Sequence, residues 1–252
     1  MAVEIDPTLS SIAKLRLTMP PGNHAKTIER MGGSVKSEGL GDGGIERQNV
    51  QIVNADALAG KGTLNPAVVE AMERARTEVG PGRLLLVSNL PYDVASPVIV
   101  HLVKGPVVAD AMFVTVQKEV ARRMTAAPGG RDYGTLSIFL QATGEVEILR
   151  VLKPSVFWPP PGVDSAMVRH VRNEAKSARI TDMATLSEVV ALFMGHRRKM
   201  LRACVKSVPS HLGDTRLWLR LLEERSIDPA SRPANLTPAQ YVELANACHR
   251  LA

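Results

Sequence analysis

The sequence predicts an α/β protein: a largely parallel, doubly wound sheet followed by a small all-helical domain. Three observations carry that reading. Leu84-Leu85-Leu86-Val87 is a short apolar run bounded by Gly82 and Pro91, the pattern of a strand buried on both faces. From Val50 to Ala142 such runs alternate with stretches of helical period, as in strands linked by helical crossovers. From about Ala178 the pattern stays helical to the end. The expected domains are residues 1–175 and 176–252.

Ala2-Val3-Glu4-Ile5-Asp6 reads as a short strand ending in acids, with Asp6 capping a helix from Pro7 to about Leu17. A carboxylate at such a strand end in a nucleotide-binding sheet holds ribose hydroxyls, which makes Glu4 a candidate. Residues 20–48 contain Pro20-Pro21-Gly22, Gly32-Gly33-Ser34 and a glycine-rich run from Gly39 to Gly44, a flexible insertion by composition. These glycines lack the preceding strand and following helix that a phosphate cradle needs. Val50 to Asn54 is the next strand. Asp56 after it is either a turn former or an acceptor for an adenine amine. A helix runs from Asn65-Pro66 to about Glu78.

The Leu84–Val87 strand delivers Asn89-Leu90-Pro91-Tyr92 at its carboxyl end, where open α/β sheets bind ligands. Pro91 cannot continue a central strand, and it keeps Leu90 extended. The turn thereby fixes the Asn89 amide, the Leu90 carbonyl and the Tyr92 ring in one relation, suited to a flat, hydrogen-bonding ligand such as a nucleobase. The Asn89 side-chain oxygen and the Leu90 carbonyl can hold both N–H groups of an exocyclic amine. Tyr92 can stack on the ring, a contact worth about 1–3 kcal/mol.

Ser96-Pro97 predicts a helix start with Ser96 as N-cap, continuing from Val98 to Val103. Ala111 to Val116 is a buried strand, Gln117 to Met124 a helix, and Tyr133 to Ala142 another. Glu145 to Leu152 and Ser165 to Val171 form a strand pair joined by the stiff, proline-rich stretch from Lys153 to Asp164. Phe157 on that stretch is a candidate second face for a sandwiched base; the pattern gives Trp158 no assignment. Thr181-Asp182 opens a helix with Leu186, Val189, Val190 and Phe193 on one face, and Thr237-Pro238-Ala239-Gln240 is a capping-box start for the last helix. Between them, His196 to Lys206 reads as a helix with Met200 and Leu201 inward. Its cations Arg197, Arg198, Lys199, Arg202 and Lys206 then point toward RNA phosphates.

At 252 residues, 45% of them hydrophobic, the chain can bury a proper core. No apolar run reaches membrane-spanning length, and Met1 to Asp6 lacks the basic and apolar regions of a signal peptide. Cys204 and Cys248 have no metal or redox spacing, and the six histidines do not cluster. These features argue against a channel, a disulfide scaffold or a metalloenzyme, and predict a reduced, cytoplasmic, metal-free protein. The net charge of +6 and pI near 9.5 favour a polyanionic partner.

Taken in order, Val3-Glu4-Ile5-Asp6, Asn54-Ala55-Asp56-Ala57, Asn89-Leu90-Pro91-Tyr92, Gln117-Lys118-Glu119-Val120-Ala121 with Asp132-Tyr133-Gly134, Phe157 through Ser165, His196-Arg197-Arg198-Lys199 and Leu236-Thr237 make a pattern. It resembles the ribosomal RNA adenine dimethyltransferases, most closely the branch acting on the small-subunit RNA. The resemblance implies a Rossmann-like class I methyltransferase sheet and S-adenosylmethionine as cofactor. Glu4 would then lie at the cofactor ribose and Asp56 at its adenine, with Ile5, Ala57 and Asn89 completing the contacts. Asn89, Leu90, Pro91 and Tyr92 would hold the target adenine, with Phe157 packed against it. The implied reaction puts two methyl groups on N6 of each of two adjacent adenines in a hairpin loop near the 3′ end of the small-subunit RNA. A monomer acting on a small ribosomal subunit precursor is the expected form, with no membrane and no metal. The family pattern also opens with a strand and a glycine loop that have no counterpart before Glu4. The expectation is therefore an amino-terminally truncated chain or a misplaced start, with the first strand of the sheet missing and weak or absent cofactor binding. Two rivals stand beside this reading: a large-subunit ribosomal RNA methyltransferase of the antibiotic-resistance type, and a non-catalytic RNA-binding assembly factor.

Overall fold

A computed structural model describes residues 2–4, 52–60, 62–80 and 82–249. Ile5, the helix expected from Pro7 and the insertion at 20–48 lie outside the described residues. The chain divides into two compact units, Met1–Gly82 and Arg83–Ala252.

In the first unit β1 (Ala2–Glu4) pairs in parallel with β2 (Ile52–Asn54), in a register that sets Glu4 opposite Asn54. Helix α1 (Pro66–Val79) follows. Asn65 caps it, its side-chain oxygen accepting the Ala67 N–H at 3.0 Å. Pro66 sits where a missing N–H costs nothing.

The second unit runs β3 (Leu85–Asn89), α2 (Ala95–Lys104), β4 (Ala111–Gln117), α3 (Lys118–Thr125), α4 (Thr135–Thr143), β5 (Gly144–Leu152), β6 (Ser165–Arg172), α5 (Met183–Met194), α6 (Thr215–Glu224) and α7 (Pro238–His249). Its strands order as β3-β4-β6-β5. β3 is parallel to β4, whereas β6 runs antiparallel to both β4 and β5. The expected strand pair is thus present, and it makes this sheet mixed rather than largely parallel. A hairpin-like pair needs no helical crossover, so its partner β6 enters in the reverse direction.

One face of the sheet forms the core. Met112, Val116, Ala166 and Val168 are fully buried there, with α3 and α4 packed on the strands and α2 laid against α4. The other face is open: Leu85 is 50% exposed and Val87 76%. β3 is therefore not buried on both faces, as its apolar run suggested. Where every position is apolar, the alternation that marks a half-buried strand is hidden, and the run cannot say which face is covered.

Two further expectations are corrected. Ser96 is not the cap of α2, because the Pro91 carbonyl accepts the N–H groups of Val94 (3.3 Å) and Ala95 (3.0 Å) and winding starts earlier. The basic run at 196–206 is not one helix. Residues 195–199 are turns and a bend after α5, Met200 is extended and exposed, and helical winding is confined to a short turn, Leu201–Cys204, followed by a 3-10 turn, Val205–Ser207. The backbone N–H groups of Leu201 and Arg202 donate to the carbonyls of Ser231 and Pro229, both at 2.9 Å. The chain is held there by a neighbouring loop rather than by its own preceding turn.

The remaining helices follow the sequence pattern. Asp182 caps α5 by accepting the Thr185 N–H at 2.6 Å, and Leu186, Val189, Val190 and Phe193 are all buried. α7 opens with a reciprocal pair, Gln240 N–H to Thr237 Oγ1 (3.2 Å) and Thr237 N–H to Gln240 Oε1 (2.9 Å). Phe193 meets Trp218 edge-on at 5.4 Å between ring centroids. The buried Tyr133 hydroxyl, just before α4, donates to the Leu236 carbonyl at 2.8 Å, tying the α4 region to the carboxyl-terminal helices. No described helix is long and apolar enough to cross a membrane. Among the described residues no group of three His, Cys, Asp or Glu is placed to hold a metal.

Candidate active site and nucleic-acid interface

Asn89 is the last residue of β3, opposite Thr115 of β4. The Leu90 N–H donates to the Thr115 carbonyl at 3.2 Å, extending the ladder by one residue until Pro91 stops it. The Leu90 side chain is buried, which anchors the turn, while Asn89 is exposed. Among the described residues no donor reaches the Asn89 carboxamide oxygen or the Leu90 carbonyl, so both acceptors remain open. Asn89 lines a cleft of about 310 Å³, together with Val87, Ser88, Phe113, Thr115 and Met167 among others. Its walls are apolar apart from Ser88, Asn89 and Thr115, a lining that suits a flat heterocycle.

Tyr92 is half-buried, and its hydroxyl shares a 2.8 Å hydrogen bond with Ser165 Oγ. That bond joins the Asn89–Tyr92 turn to the start of β6, where the proline-rich connection ends. The same connection is pinned on its other side. The Lys118 N–H donates to the Asp164 carbonyl at 3.0 Å, and the Asp164 carboxylate lies 3.1 Å from Lys118 Nζ and 3.5 Å from Lys153 Nζ. The hydrogen bond from Lys118, helped by the charge of Lys153, holds the Asp164 carboxyl below its ordinary range. Phe157 is half-buried, with its N–H on the Pro154 carbonyl at 3.1 Å. Neither Phe157 nor Tyr92 lines the cleft beside Asn89; Tyr92 belongs to the turn after β3, and Phe157 to the loop that rejoins the sheet at Ser165.

In the first unit, Glu4 and Asn54 end two parallel strands, so Asp56 follows at the same carboxyl end. Asp56 is exposed; its Oδ1 accepts the Leu58 N–H at 3.0 Å, and no described donor takes Oδ2. The Ala57 carbonyl accepts the Asn65 N–H at 2.9 Å. An open carboxylate oxygen at a strand's carboxyl end can accept a hydrogen bond from a ligand's hydroxyl or amine. Ile5 lies outside the described residues.

The five predicted phosphate-binding cations divide. The Arg197 guanidinium donates to the carbonyls of Gly130 (2.9 Å) and Arg131 (2.6 Å), stapling the turn before α4. Arg198, Lys199, Arg202 and Lys206 are exposed, and none pairs with an acid among the described residues. A larger cleft of about 630 Å³, lined by Ser210, Gly213, Asp214, Arg216, Leu217 and Arg220, holds none of the residues predicted for the site. Ser165, Lys118 and Asp164 were not assigned roles from sequence. Tyr92 and Ser165 are 73 positions apart, and no local pattern signals that contact.

Acceptors at strand carboxyl ends, helices packed on the sheet and a terminal antiparallel pair define a Rossmann-like methyltransferase. The same fold occurs in a dimethyladenosine transferase from Plasmodium falciparum (TM-score 0.64, 20% identity, 96% of this chain and 78% of that one). It occurs also in the 23S rRNA methyltransferase ErmE (TM-score 0.53, 18% identity, 98% and 80%). The family described as ribosomal RNA adenine dimethylase matches residues 44–249. A ribosomal RNA small subunit methyltransferase A from Chromobacterium violaceum is 33% identical over 250 residues, 99% of this chain and 85% of the relative. Its namesake from Xanthomonas campestris pv. campestris is 40% identical over 195 residues, 76% of this chain and 70% of the relative. The chain belongs to the ribosomal RNA adenine dimethylase family.

Proposed function

We propose that this protein transfers methyl groups from S-adenosylmethionine to N6 of two adjacent adenines in the 3′-terminal hairpin loop of small-subunit ribosomal RNA, during maturation of that subunit. The observation that carries the reading is a pair of open acceptors: Asn89, which ends β3 and lines a cleft, and the Leu90 carbonyl just after it. An exocyclic amine is a poor nucleophile because its lone pair is delocalised into the ring. Accepting both N–H groups favours a geometry in which that lone pair faces the methyl donor, so positioning and electrostatics do most of the catalysis. The bound cofactor supplies an electrophilic methyl on a sulfonium. In this reading Glu4 would hold its ribose and Asp56 its adenine, and Ile5, Ala57 and Asn89 are the other residues assigned to it. Pro91 keeps the turn extended, and Tyr92 and Phe157 flank the target base.

Residues 1–175 form the methyltransferase domain in this reading, and 176–252 the helical RNA-binding domain. Arg198, Lys199, Arg202 and Lys206 meet the phosphates, while Arg197 supports them through its hold on residues 130–131. A hairpin loop suits the site because unpaired bases are cheaper to draw into a pocket. The names of the small-subunit relatives support this substrate over large-subunit RNA. The test is methyl transfer from labelled S-adenosylmethionine to unmethylated small subunits and, in parallel, to large subunits, followed by nucleoside analysis. N6,N6-dimethyladenosine from the 3′-terminal loop is expected. Label confined to large-subunit RNA, or no label at all, overturns the proposal.

A further inference from the structure

We propose that Trp158 is a stacking platform for an unpaired base that flanks the target adenine, an inference that rests on the RNA-methylating reading above. Trp158 is 95% exposed, more than any other large hydrophobic side chain among the described residues. An indole buries about 150–250 Å² when it is packed, so leaving it in water forgoes a large gain unless a partner covers it. Its backbone is not a loose tip. Phe157 donates to Pro154, Pro159, Pro160 and Pro161 fix φ on the following side, and Asp164 is tied to Lys118 and Lys153. A ring presented by an ordered loop loses little entropy when a partner settles on it.

Its placement points to the partner. The loop leaves β5 at Leu152 and rejoins the sheet at Ser165, which pairs with Gln117 at the carboxyl end of β4 and touches the Tyr92 hydroxyl. Trp158 therefore stands on the rim of the end of the sheet that carries Asn89, and it does not line the cleft itself. A base drawn into the cleft leaves its unstacked neighbours at that rim. Lys153, with a side chain 74% exposed, anchors the same loop and offers an ammonium to the adjoining phosphate. An open aromatic face with a cation beside it is the chemistry that holds single-stranded nucleic acid, largely independent of base identity. Trp158 is thus a positioning residue: it sets how the strand enters, and it does not touch the reacting amine.

The chain contains two tryptophans, and Trp218 is fully buried with its N–H on the Leu212 carbonyl at 2.9 Å. Fluorescence emitted from a water-exposed indole therefore reports Trp158 alone. The experiment titrates the full chain with a synthetic RNA hairpin carrying the 3′-terminal loop, and with a fully paired duplex of equal length. The hairpin should quench the exposed emission and shield it from acrylamide, whereas the duplex should not. Trp158→Ala should weaken hairpin binding about tenfold or more and raise KM for RNA by more than it lowers kcat; Trp158→Phe should recover most of the loss. Hairpin affinity within about twofold of wild type in Trp158→Ala, absent quenching, or equal quenching by the duplex overturns the platform. Such a result with wild-type methylation intact leaves the proposed function standing. A wild type that quenches on the hairpin but methylates nothing does the reverse.

Discussion

The two faces of the four-stranded sheet are built from alternate residues of the same strands, yet they differ in kind. On one, Met112, Val114, Val116, Ala166 and Val168 sit in a closed core under α3 and α4. On the other, Val87, Phe113 and Met167 are open, and the row ends at Asn89 and Thr115 beside the cleft. Packing stability resides in the first face, and the proposed chemistry lies at the end of the second. Asn89 can stay exposed, as its proposed role requires, because the neighbouring Leu90, one step along the backbone and on the covered side, holds the turn in place.

Substitutions that separate the two faces should show this as a graded series. The largest effect belongs to the closed side. Phe139 on α4 is 2% exposed, and Phe139→Ala should cost about 3–5 kcal/mol in denaturant unfolding. His170 of β6 is on that side too, with Nε2 3.1 Å from the Leu140 carbonyl and a buried Nδ1 that has no partner among the described residues. Burial, opposed only in part by that hydrogen bond, pushes its pKa down to about 4. The unfolded chain, with a pKa near 6.5, then binds more protons between those values, so stability is full above about pH 6.5 and falls as the pH drops toward 4, by about 3 kcal/mol in total. His170→Gln should flatten that part of a stability–pH curve; an unchanged slope assigns the dependence to other groups. Tyr92→Phe removes the bond to Ser165 at the junction of turn and loop and should cost about 1 kcal/mol, with a larger loss in methyl transfer than in stability. The smallest effect belongs to the open side: Val87→Ala should shift unfolding by no more than about 0.5 kcal/mol.

Much of this was legible in the sequence, unevenly. Helix starts with a side-chain cap could be read directly at Asn65, Asp182 and Thr237, because the cap and its recipient lie within three residues. The face of α5 was equally plain from its spacing. The strand order within the hairpin followed from two runs and the stiff connection between them. Three features were hidden. The four apolar residues before Asn89 could not reveal that only one face is covered. The basic run after α5 looked helical because nothing local shows that Leu201 and Arg202 donate to residues 229–231. Arg197, read as one more phosphate contact, spends its guanidinium on the 130–131 carbonyls. At the site, the acceptor pair was visible as a motif. The Tyr92–Ser165 bond and the Lys118–Asp164 clasp were not, because the fold alone brings those residues together.

The central claim is that an open carboxamide at the end of β3 orients the amine that receives the methyl group. The most direct measurement is the single-turnover rate of methyl transfer to small-subunit RNA by Asn89→Ala at saturating substrate, alongside its unfolding midpoint. The account predicts a rate lower by about 100-fold or more, as for loss of one positioned polar contact in an active site, with the midpoint unmoved because the residue is exposed. A rate within about twofold of wild type would contradict it.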